Sequence, residues 1–339
     1  MNKIEKTFFR AAHAVALAGL ASAACSHATA TLERPGSGLV IQSSTLFPET
    51  IEYDARRGKF LLGSFREGAI YQVNADGTTS VVVSDPRLCS VLGIAVDPGR
   101  QRVWAVNADL GASTKPSAAG PKKLATVGVY DLVTGTPLGY FDLAPLLAGP
   151  HLLNGIALDG AGNAYVSDSF SPALYRIDTD GHARVFLRSD RFTGKGVNLN
   201  GVVVHPDGYL LVIKKSDGVL FKVPLAHPEQ FSAVQIGQPL VGGDGLLLAG
   251  AQSMVVVANK TPDTASNAAF VLSSTDGWQS ARLVGQQPLG DVYPTTAVLR
   301  DGRIYAVSSK LNQLLLAPAD QQQELRVQAT IRFIGKVTR

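Results

Sequence analysis

Cysteine is almost absent from this chain, with Cys25 and Cys89 the two examples in 339 residues. Cys25 falls in the N-terminal segment, which leaves Cys89 without an internal partner. A disulfide framework is thereby excluded, and Cys89 reads as a small buried apolar residue. Charge is scarce too, at 17% of residues against 45% hydrophobic, which excludes disorder and leaves ample material for a core. The net charge of +4 is small and the basic residues are scattered rather than striped, so nucleic acid is excluded as a partner. Beyond the first thirty residues no apolar run reaches the roughly 18 residues that a membrane helix needs. No stretch there keeps a 3.6-residue period either, which leaves short apolar runs punctuated by turns.

The N terminus reads as a leader. Lys3, Lys6 and Arg10 precede an apolar stretch over 11–24, with small-residue cleavage sites at Ala21-Ser22-Ala23 and Ala28-Thr29-Ala30. This predicts a signal peptide over 1–30, a mature domain over 31–339, and a periplasmic or secreted protein. Ser22-Ala23-Ala24-Cys25 also has the shape of a lipobox, with Cys25 as a lipid anchor, although Ser22 stands where Leu is usual.

The rest of the chain repeats. Six apolar runs, at 51–53, 94–96, 156–158, 202–204, 246–248 and 297–299, are each followed by a glycine-bearing turn and a second apolar run. The spacing of roughly 45–50 residues is that of propeller blades. Third and fourth runs follow in most repeats, bounded by Asp-Gly and Thr-Gly turns. Four strands in each of six units predict an all-β fold, a six-bladed β-propeller of four-stranded antiparallel blades. It would be one domain and a monomer. Segments 38–43 and 327–334 both read as strands, one of them completing a blade begun at the other terminus.

A side-chain oxygen stands at a fixed offset before several of the first runs, in Pro48-Glu49, Leu153-Asn154-Gly155, Leu199-Asn200-Gly201 and Gly243-Asp244-Gly245. Taken singly, each Asn-Gly or Asp-Gly is a turn former. Taken together in one register, they aim Glu49, Asn154, Asn200 and Asp244 over the mouth of the central channel. Two carboxylates and two amides, with no thiolate or imidazole, suit Ca²⁺ first and Mg²⁺ second. The far ends of the second strands reach the same face, which makes Asn107, Asp168, Lys214 and Asn259 candidates for contact with substrate or for support of the ring. His151, three residues before Asn154, is another candidate. The long connections 108–125 and 261–268 fall on that face as candidate lids.

These motifs resemble the SMP-30/gluconolactonase/LRE-like family over the whole mature chain. The resemblance implies a six-bladed propeller with a divalent cation, usually Ca²⁺, held by a Glu, two Asn and an Asp, here Glu49, Asn154, Asn200 and Asp244. It also implies hydrolysis of lactones or esters, with Asp244 as general base or nucleophile. The sugar lactonases of that family carry an Arg where this chain has Leu152, so a more apolar lactone or ester is the expected small-molecule substrate. The alternative is a propeller that binds a ligand or partner without catalysis and holds Ca²⁺ for structure.

Overall fold

Each repeat folds into one antiparallel sheet, and six sheets stand in a ring around a central channel. The computed structural model describes residues 28–36, 38–261 and 267–338, so the leader and Cys25 lie outside the described residues. Blade 1 comprises Pro48–Asp54, Lys59–Ser64, Ala69–Val73 and Thr79–Ser84. Blades 2 to 5 repeat this order outward from Ser90–Asp97, Leu153–Leu158, Leu199–His205 and Gly243–Gly250. Blade 6 runs from Pro294–Arg300 through Arg303–Ser308 to Thr330–Thr338.

The missing fourth strand of blade 6 comes from the other end of the chain. Thr29–Leu32 pairs antiparallel with Thr330–Thr338, and Leu39–Val40 pairs with the start of the same strand. The N-terminal segment therefore completes the last blade, which answers the closure question left open by the sequence. That strand takes in the last two residues of the predicted leader, and Ala30 is buried in the core between blades 5 and 6.

Blade faces carry apolar side chains in both directions, as sheets covered on both sides must. In Lys59–Ser64, Leu61 packs toward blade 2 while Phe60 and Leu62 pack toward blade 6. Six apolar clusters result, one at each junction between neighbouring blades. With a core at every junction, the ring holds itself shut without a disulfide. Trp104 and Trp278 lie buried in two of these cores, and Cys89 is buried as expected. Burial, with Asp109 nearby, pushes the Cys89 thiol up to about 11, which keeps it protonated and inert.

One departure from the all-β reading lies at the channel mouth. Segment 309–329, between the second and third strands of blade 6, carries two short helices, Leu311–Leu316 and Ala319–Gln322. One or two turns are too short to show a 3.6-residue period in sequence. Leu311 and Leu314 pack with Phe47, Phe65, Leu92 and Leu152, so the segment roofs the mouth. Arg66 anchors it, donating from Nη1 to Leu325 O at 2.8 Å and from Nη2 to Gln323 O at 2.5 Å. No helix among the described residues is long and apolar enough to cross a membrane.

Candidate functional site

Every innermost strand breaks register at the same place. The pairing of inner to second strand skips Glu49 in blade 1, Leu92 in blade 2, Asn154-Gly155 in blade 3, Asn200-Gly201 in blade 4, Asp244-Gly245 in blade 5 and Thr295-Thr296 in blade 6. A bulge leaves its extra residue unpaired and re-aims the side chain. Glu49, Leu92, Asn154, Asn200, Asp244 and Thr295 consequently form one ring at the top of the channel, and all six line one cavity of about 320 Å³. The Asn-Gly and Asp-Gly pairs are therefore bulges inside strands, where their turn-forming character predicts turns before them.

The glycines after the ring residues are set by crowding at the axis. A Cβ on Gly155 would lie 2.5 Å from Asn200 O, and one on Gly201 would lie 2.4 Å from Asp244 O. Each inner strand thus passes against the ring residue of the next blade.

Most of the ring oxygens lack a protein partner among the described residues, Asp244 Oδ2 being the exception. Among the described residues, no hydrogen bond reaches the Glu49 carboxylate, Asn154 Oδ1, the Asn200 amide or Asp244 Oδ1. Asn154 is turned by its other end, where Nδ2 donates to Ser169 Oγ at 3.2 Å and Ser169 Oγ donates to Leu199 O at 2.6 Å. Thr295 Oγ1, at the same level, is buried without a partner. This donor set is hard and all-oxygen, and it fits a divalent cation of the Ca²⁺ or Mg²⁺ kind. Burial foremost, and then Asp244, holds the Glu49 carboxyl well above the usual range, with Lys215 opposing.

Lys215 is the residue that sequence reasoning placed one position off. Its Nζ lies 2.8 Å from Asp244 Oδ2, and the same oxygen accepts a hydrogen bond from Asn259 Nδ2. Burial opposes the charged lysine, but Asp244, together with Tyr293 and Glu49, raises the Lys215 ammonium above its ordinary value. Asn259 lies beside the ring, donating also to Pro294 O at 3.3 Å, while its buried Oδ1 has no partner among the described residues.

Lys214 is not at the ring. Its ammonium bonds Thr193 O at 2.7 Å and pairs with Asp217 at 2.9 Å, on the side of blade 4 away from the axis. Asn107 and Asp168 point away for the same reason. Asn107 Oδ1 accepts from Cys89 N at 2.7 Å and its Nδ2 donates to Thr126 Oγ1 at 2.9 Å. Asp168 Oδ1 accepts the backbone N–H of Leu152, Phe170 and Ser171, and Oδ2 lies 2.7 Å from His151 Nδ1. Burial opposes a charged imidazole, but Asp168, together with the backbone of Leu147 and Ala144, raises the His151 pKa. His151 and Asp168 form a buried brace under the strand that carries Asn154, and His151 does not reach the mouth. Strand side chains alternate, so a shift of one residue exchanges the two faces. The positions that do face the ring are Ser169, Lys215, Asn259 and Ser309, whose buried Oγ has no partner.

A backbone circuit fixes these positions. Ser169 N donates to Leu152 O, Asn198 N to Ser169 O, Lys215 N to Asn198 O, Gly242 N to Lys215 O and Asn259 N to Gly242 O, over 2.8–3.1 Å. Of the two predicted lids, 108–125 is tied down, with Thr114 N on Arg66 O at 2.8 Å and Ala112 buried among the mouth residues. Within 261–268, residues 262–266 lie outside the described residues. Elsewhere, Asp178, Asp180 and His182 also come together, but Asp178 Oδ1 accepts the N–H of Asp180 and His182 in a hairpin turn.

Two features complete the lining. Leu92 and Leu152 put apolar walls beside the ring and above it. Glu52, deeper in the channel among Ile, Val, Leu and Ala side chains, has its carboxyl pushed up by burial to about 7.

No family model matches the sequence, and no curated protein matches it. Solved structures do match in fold. The major allergen Mala s 1 of Malassezia sympodialis superposes with a TM-score of 0.68 at 19% identity, over 89% of this chain and 96% of the allergen. A luciferin-regenerating enzyme matches with a TM-score of 0.57 at 12% identity, over 88% and 95% of the two chains. A candidate gluconolactonase matches with a TM-score of 0.53 at 13% identity, over 93% and 95%. At these identities the shared property is the fold, and the chain is a six-bladed β-propeller similar to these proteins along nearly its whole described length.

Proposed function

We propose that this protein is an exported hydrolase of lactones or carboxylic esters, acting at the oxygen ring of the channel mouth. The observation that carries the reading is the convergence of Glu49, Asn154, Asn200 and Asp244 at one level of one cavity, with the Glu49 carboxylate, Asn154 Oδ1, the Asn200 amide and Asp244 Oδ1 free of hydrogen bonds among the described residues. The names of two fold neighbours, a luciferin-regenerating enzyme and a candidate gluconolactonase, lend support from fold alone.

Glu49, Asn154, Asn200 and Asp244 would hold Ca²⁺, or Mg²⁺ in second place, with Thr295 beside them. Such an ion, when bound, polarises a carbonyl oxygen and stabilises the oxyanion that develops there. The chain's own residues do the rest. Asp244 Oδ1 takes a proton from the water that adds to the carbonyl carbon, or itself attacks that carbon to form an acyl-enzyme that water then cleaves. In either case the acyl C–O bond breaks and the alkoxide leaves with a proton that came from water, while Oδ2 stays held by Asn259. Ser169 orients the Asn154 amide. Leu92 and Leu152 favour an apolar substrate body over a polyhydroxylated one.

The roof over the mouth favours a second reading. Leu311 and Leu314 close over Leu92 and Leu152, as in a propeller whose ring serves structure or ligand storage without turnover. A panel of aliphatic, aromatic and sugar lactones with aryl esters separates the two, assayed with and without Ca²⁺. Hydrolysis is expected for the apolar members, and Asp244→Asn should reduce it by about 10³-fold or more without unfolding the protein. No turnover on any member, or full turnover in Asp244→Asn, overturns the hydrolase reading.

A further inference from the structure

We infer that the Lys215 ammonium is the ring's own counter-ion, and that a divalent cation loads by displacing it from Asp244. The inference rests on the reading of the ring as a cation site. Of the two carboxylates the ring offers, Asp244 already has a protein cation at 2.8 Å, on a side chain 11% exposed. A buried carboxylate with such a partner is compensated in charge. A cation at the ring axis and an ammonium on Asp244 bear the same sign, in a site with little water to screen them.

The lysine is built to move while its backbone stays. Lys215 N donates to Asn198 O at 2.8 Å and Lys215 O accepts from Gly242 N at 2.9 Å, so the stem begins at a fixed point. Four methylenes then give the ammonium its reach. The face of Tyr293 lies 5.7 Å from Nζ, a second seat for the charge once Asp244 is taken. Asn259 keeps its hydrogen bond to Asp244 Oδ2 in either position of the lysine. Among the described residues Glu49 makes no direct ion pair and feels Lys215 only at longer range, so the direct contest is at Asp244.

The consequence is a ring that stays ordered without metal and binds divalent ions more weakly than its oxygens alone would allow. Calcium titration by calorimetry, paired with thermal unfolding, tests this on the folded full chain. Lys215→Met is expected to bind Ca²⁺ roughly ten-fold tighter or more and to gain a larger calcium-dependent rise in Tm. Lys215→Arg, which keeps the charge, should stay at the wild-type affinity. If the methionine variant fails to fold, Lys215→Gln takes its place with the same expected direction. Unchanged or weaker calcium binding in the uncharged variants, with the wild type binding, overturns the role given to Lys215 alone. Absence of binding by wild type and every variant overturns the cation reading of the ring as well.

Discussion

Asn154 and Ser169 are joined by a hydrogen bond of 3.2 Å, and Ser169 passes the connection on to the backbone of blade 4 through Leu199 O. The amide that faces the axis is therefore oriented by its own blade and braced against the next one. Groups that orient a ligand from behind typically contribute 10–100-fold in affinity or activity. Ser169→Ala should weaken calcium binding and turnover by about ten-fold, leaving Tm without metal within a few degrees. Calorimetry beside the ester assay reads both, and unchanged affinity would deny Ser169 this part.

Glu52 gives the protein a stability that depends on pH. Burial raises its carboxyl from 4.5 to about 7, so the native state keeps a proton there that the unfolded chain has lost. This favourable contribution is complete below 4.5 and disappears as pH rises through 7. Glu52→Gln should therefore raise stability at pH 8 by about 1–2 kcal/mol, after allowance for water in the channel, and change it little at low pH. Urea unfolding at the two pH extremes measures the difference. A uniform shift across pH would assign the effect to packing.

Crowding at the axis makes a third prediction. A methyl group on Gly201 meets Asp244 O at 2.4 Å, backbone against backbone, so neither side yields cheaply. Gly201→Ala should cost about 1–3 kcal/mol by overpacking and disturb the ring through Asp244. Gly237, with no atom within 4 Å of its added Cβ, is the control, and Gly237→Ala should be nearly neutral. Equal Tm for the two variants would refute the close approach.

The blade count and the ring were legible in sequence because both are periodic. An oxygen at a fixed offset before four of the six first apolar runs needs no knowledge of the turns to be seen. The second-strand ends were not legible at single-residue precision. Lys214 and Lys215 are adjacent and chemically identical, and only the pleat decides that Lys215 reaches Asp244 while Lys214 turns to Thr193 O. Asp168 and Ser169 present the same ambiguity. The more conspicuous carboxylate braces the blade, and the plainer hydroxyl touches the ring residue. Leu92 and Thr295 carried no signal because an apolar residue and a threonine are ordinary at the start of a strand. The roof over 311–325 was missed because its short helices interrupt a repeat without any pattern of their own.

The pairing of Thr29–Leu32 with Thr330–Thr338 makes the ring a hoop whose buckle joins two distant parts of the chain. The buckled blade is also the one that supplies Thr295, Ser309 and the roof with Leu311 and Leu314. During synthesis this sector is the last to assemble, since its outermost strand waits some 300 residues for a partner. In the finished molecule the buckle also packs on blade 5, where Ala30 N donates to Ser253 Oγ at 3.0 Å, so fraying there would loosen the junction of the two blades that carry Asp244 and Thr295. Closure of the hoop and the wall shared by blades 5 and 6 thus rest on the same four-residue strand.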